Sequence, residues 1–132
     1  AQVDPLVAAR LQRAARLSPD EMAKLRTNAV DLRGLWPAPD TLIALPTVPF
    51  GAPSAEPLLS DPETYARINQ QALSLTMPAS LLDLPAVTLP VGQTAAGQWI
   101  GLQLVGAPHC DRALLMAACK LERAIELKGL CP

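Results

Sequence analysis

Histidine occurs once in these 132 residues, as His109, and aromatic side chains four times, as Trp36, Phe50, Tyr65 and Trp99. A Ser-His-Asp triad would therefore have to use His109. It stands beside Cys110 and Asp111, but neighbours at a helix entry point in different directions and do not meet as nucleophile and base. One histidine and three isolated cysteines (Cys110, Cys119 and Cys131) do not make a closed zinc ligand set. No Gly-x-Ser-x-Gly elbow, phosphate loop or dinucleotide fingerprint occurs. Charge is also scarce, at 17% of residues with a net charge of −1. The scattered lysines and arginines form no basic cluster, which argues against nucleic acid or an anionic membrane as partner. The longest uncharged stretches carry prolines, glycines and polar residues, so none reads as a membrane span. Asp4 and Arg10 interrupt any apolar run that would make a signal peptide. The odd cysteine count then predicts reduced thiols, with Cys119 near the apolar side of the last helix, and a cytoplasmic setting.

What the chain does have is apolar bulk, half of its residues, together with fourteen prolines. Its length fits one domain of about 100–150 residues, and residues 1–132 read as a single region. Asp4-Pro5 opens a helix in which Leu6, Ala9, Arg13 and Leu17 share a side. Ser18-Pro19-Asp20-Glu21 has the capping-box spacing, and Met22, Leu25, Ala29, Leu32 and Trp36 recur at helical intervals up to Pro37 and Pro39. Thr41–Leu45 reads as a buried strand, and the following Pro46–Pro53 as a proline-stiffened loop. Asp61-Pro62 starts a helix to about Leu75, and Pro78–Leu82 adds a turn. Ala86–Val91 and Trp99–Val105 read as antiparallel strands, with Pro90 confined to a place needing no ladder donor. Asp111 is expected to cap a last helix with Leu114, Leu115, Ala118, Leu121 and Ile125 on one side, ending at Gly129 and Pro132. This order implies a layered α/β or α+β architecture.

Three segments stand out. They are Asp40 to Pro49, with its Pro46-Thr47 pair; Thr76 to Gly92, with Pro78, Ser80, Asp83, Pro85 and Pro90; and Gly97 to Gly106, with Gly101 and Gln103. The closing helix with Leu114, Leu115 and Glu122 follows them. In this order they resemble the C-terminal region of amidase-signature enzymes, from about Asp4 to about Glu122. The family's usual Asn is Ser80 here, its following Gly is Asp83, and a Pro is Trp99. Ser80 can keep a local bond to backbone, whereas Asp83 in place of glycine predicts an altered turn. These departures suit a divergent member or a relaxed copy.

The resemblance implies an α/β fold, a mixed sheet flanked by helices, of which this chain is the C-terminal fragment. It implies hydrolysis of a carboxylic amide through an acyl-serine, with no metal or organic cofactor. The family's serine, cis-serine and lysine lie upstream of the matched region, so no catalytic residue is assigned here. Lys24, Lys120 and Lys128 read as solvated. Thr47, Thr76 and Ser80 are the candidates for lining a substrate pocket. Leu73 stands where amidotransferase subunits carry an Asp, which argues against an amino-acid-type amide. Gln103 is expected to satisfy backbone groups. Partners implied are a small-molecule amide, the absent N-terminal segment and a second copy. The competing class is a non-catalytic interaction module that retains the fold.

Overall fold

The computed structural model describes residues 3–36, 38–127 and 129; the expected roles of Pro37, Lys128, Cys131 and Pro132, and of the Leu6 side chain, lie outside the described residues. Two compact units are present, Ala1–Gly34 and Leu35–Pro132. In the first, helix α1 (Pro5–Ala14) opens where Asp4 Oδ1 accepts from Val7 N at 3.4 Å. Helix α2 (Pro19–Gly34) opens on the capping box. Glu21 N donates to Ser18 Oγ at 3.2 Å, and Ser18 N donates to Glu21 Oε2 at 2.7 Å. Reciprocal bonds of this kind satisfy donors that a helix start leaves open. The apolar stripe of α2 stays uncovered, however, with Met22, Leu25 and Leu32 exposed and Ala29 buried. Two helices alone offer little area with which to enclose such a stripe.

The second unit holds strands β1 (Ile43–Pro46), β2 (Ala86–Gln93) and β3 (Trp99–Val105), in the order β1-β3-β2 and antiparallel throughout. Helices α3 (Ala55–Ser60), α4 (Pro62–Leu73), α5 (Met77–Leu81) and α6 (Asp111–Leu127) complete it. Three expectations need correction. A helix, α3, lies where none is expected, and Asp61 both ends it and caps α4 by accepting from Glu63 N and Thr64 N. The first strand is an edge, not a buried strand, with Ile43, Ala44 and Pro46 exposed. Asp111 is the first residue of α6, preceded by Cys110, which it follows rather than replaces as the cap position. Pro90 sits on the edge strand β2 beside a register shift between Pro90 and Gly92, a place edges tolerate.

Strand alternation sends Leu102 and Leu104 to one face of the sheet and Gln103 and Val105 to the other. Leu89 and Leu104 pack with Leu114 and Ala118 of α6, with Leu42, Val87, Leu102 and Leu121 around them. On the opposite face Val105 packs with Ala79 of α5 and with Leu84, flanked by Trp36, Leu45 and Leu82. Helix α6 buries Leu114, Ala118 and Ile125, but Leu115 is 55% exposed and Cys119 is exposed, contrary to their expected place on its apolar side. Helical geometry explains this: one position further on, about 100° of rotation carries a side chain off the sheet.

Candidate functional site

Thr47 is the first residue after β1. Its N–H donates to Gly101 O at 2.9 Å, prolonging the β1–β3 ladder by one residue. That extension aims its side chain at the face carrying Gln103 and Val105, where Thr47 Oγ1 lies 3.3 Å from Thr88 Oγ1. Between them runs Gly101, and a Cβ placed there would sit 2.7 Å from Thr47 Oγ1 and 3.1 Å from Thr88 Cγ2. The two hydroxyls can converge because the central strand offers no side chain at that point.

Thr76 and Ser80 stand apart, on the turn into α5 and on α5 itself. Thr76 Oγ1 donates to Leu73 O at 3.3 Å, and Ser80 N donates to Thr76 O at 3.4 Å. Ser80 is exposed and Thr76 half-buried. The Thr76 hydroxyl thus closes the end of α4 and makes no cap bond to α5, and Ser80 bonds only through its backbone; Ala79, just before Ser80, packs against the sheet face that Thr47 shares. Asp83, where the resemblance leads one to expect glycine, has φ 53°, in the left-handed region. Asp is one of the few residues with a side chain that adopts this conformation at modest cost.

The sequence reading missed Thr88 and misread Gln103. Gln103 is 2% exposed and its Oε1 is buried with no hydrogen-bond partner. It satisfies no backbone N–H through that oxygen. Its cross-strand neighbours are Leu45 and Thr88. That neighbourhood emerges only from the register, which no local pattern encodes.

Elsewhere, the outer stripe of α6 lines a shallow cleft of about 600 Å³ with Leu115, Met116 and Cys119 between Arg112, Lys120 and Arg123. Its lining side chains are all on the exposed side of α6. His109 has φ 62° and is exposed, in the loop before α6; Cys110 is engaged instead with Pro39 O at 3.6 Å.

A family model described as Amidase matches residues 6–115. The 2-amino-5-chloromuconic acid deaminase of Comamonas testosteroni is 34% identical over 130 residues, which is 94% of this chain and 27% of that protein. The 6-aminohexanoate-cyclic-dimer hydrolase of Paenarthrobacter ureafaciens is 32% identical over 110 residues, 77% of this chain and 22% of that protein. A solved 6-aminohexanoate cyclic dimer hydrolase superposes with a TM-score of 0.68 at 29% identity, over 98% of this chain and 28% of its own. The chain thus spans between 22% and 28% of the length of these relatives.

Proposed function

This chain belongs to the amidase family, and from that premise we propose that it is the C-terminal part of an enzyme that hydrolyses a carboxylic amide through an acyl-serine. The nucleophile and the groups that activate it come from polypeptide upstream of the matched region. This part supplies sheet strands, helix α6 and a wall of the substrate pocket, to which Thr47, Thr76 and Ser80 contribute. The observation that carries the reading is the superposition on the solved cyclic dimer hydrolase, which takes in 98% of this chain. The α5 start and the Thr47 loop support it, since both border one sheet face.

Residues 1–132 hold no Gly-Gly-Ser-Ser-like run. Without an activated nucleophile the isolated chain is expected to turn over neither amides nor esters. Purified chain incubated with a panel of small amides and esters checks this. Turnover that persists through purification and disappears on substituting a residue of this chain would overturn the proposal. A gene without an upstream Gly/Ser-rich segment would favour the non-catalytic module instead.

A further inference from the structure

We infer that Gln98 is a positioning residue of the substrate pocket: from the β2–β3 turn it clamps the loop that follows Thr47, and so fixes the wall on which substrate affinity depends. The inference rests on the reading above, in which Thr47 lines that pocket. The loop runs from Thr47 to Ser54, between β1 and α3. Pro49 and Pro53 have no N–H, so the loop is poor in donors for its own carbonyls. The donor for Ala52 O comes from 46 residues away, where Gln98 Nε2 donates to it at 2.9 Å. At the other end of the loop, Thr47 N donates to Gly101 O at 2.9 Å. Gln98 and Gly101 stand three residues apart, so one short stretch of chain holds both ends.

Both partners are built for this contact. The backbone of Gln98 is pinned: Thr94 N donates to Gln98 O at 2.8 Å, and Gln98 N donates to Thr94 Oγ1 at 3.1 Å. Within the same turn Gly97, at φ 75°, supplies the left-handed residue, and its N–H donates to Thr94 O at 2.9 Å. Gln98 therefore reaches out from a fixed base, with only its side-chain rotamers left to order. The loop in turn makes room. A Cβ on Gly51 would overlap Gln98 Oε1 and lie 3.1 Å from Gln98 Cδ. The amide thus rests against the Gly51 backbone while its nitrogen grips the carbonyl of the following residue. A loop held at both ends presents its first residue, Thr47, in one place, and a wall already ordered binds substrate without a further entropic loss. The nucleophile lies upstream in the reading above, so loss of the clamp is felt in binding and not in the bond-making step.

The test uses the whole enzyme and a decyl fluorophosphonate, which bonds its phosphorus to an activated serine oxygen and releases fluoride, the serine proton passing to the activating base. Inactivation at a series of probe concentrations separates the binding constant KI from the maximal rate kinact. Gln98→Ala is expected to raise KI on the order of five-fold, the worth of about one hydrogen bond, and to leave kinact unchanged. Gln98→Glu keeps the length but has no donor, and is expected to match Gln98→Ala. Gln98→Lys brings a donor back to Ala52 O and is expected to return KI to its original value. All three keep the turn, because its bonds use only the backbone of Gln98. An unchanged KI in Gln98→Ala, a loss that falls on kinact, or a loss that Gln98→Lys does not restore would overturn the inference and leave the C-terminal reading in place. A whole protein that the probe leaves unlabelled would overturn both.

Discussion

Gly101 shows how one residue can decide the shape of a site. Its missing side chain lets Thr47 and Thr88 meet across the central strand. Gly101→Ala is expected to destabilise the chain by roughly 1–3 kcal/mol, because the new carbon must displace Thr47 in a packed sheet. Thr47→Ala in the same background removes the 2.7 Å obstacle and is expected to recover part of the loss. Urea unfolding of both variants checks this, and additive losses would mean that the two residues are not coupled. Gly101 and Thr47 were visible in the sequence as members of separate motifs. Their contact was not, since it depends on a strand register set by residues far apart in the chain. Asp83 is the converse case. The departure from glycine there suggested a changed turn, and the aspartate takes up a positive φ, a conformation that Asp adopts more readily than most residues with a side chain.

Helix starts were the most legible elements, because their bonds span three residues or fewer. Ser18 with Glu21 and Asp61 with Glu63 and Thr64 form as their spacing predicts. The backbone N–H of Ser18 and then its hydroxyl hold the Glu21 carboxyl below its ordinary range. Hydrogen bonding from Thr64 and then the Glu63 N–H does the same for Asp61. Both folded-state pKa values are lowered, so this stabilisation is present above the ordinary carboxylate range. It fades as pH falls through that range toward the folded values. Asp61→Asn keeps a good cap and is expected to flatten the acid limb of the unfolding midpoint while changing it little at neutral pH; an unchanged acid limb would count against the cap. Elements set by tertiary packing were harder to place. The last helix was found with its ends nearly right, but its buried side was drawn one residue too wide. Leu114, 2% exposed, is expected to cost about 2–5 kcal/mol on truncation to Ala. Leu115, at 55% exposure, is expected to cost within about 0.5 kcal/mol. Thermal melts of the two variants separate these expectations, and equal losses would refute the assignment.

At the scale of the whole molecule, the order of motifs made the family legible where no single residue did. Burial was less legible there, because an uncharged run such as Thr41–Leu45 reads as enclosed. Instead Ile43, Trp99 and Ile100 are 42%, 53% and 42% exposed, and Leu115 and Met116 are 55% and 54% exposed. Among the described residues β1 and β2 each pair on one side only, which leaves two sheet edges. Uncovered apolar surface and open edges both favour association. Covering even about 500 Å² of apolar surface at roughly 25 cal/mol/Å² contributes on the order of 12 kcal/mol before the entropic losses of association. The isolated chain is therefore expected to self-associate, with an apparent mass that rises with concentration in light scattering. A monomer at every concentration, unfolding cooperatively, would mean that these surfaces need no cover.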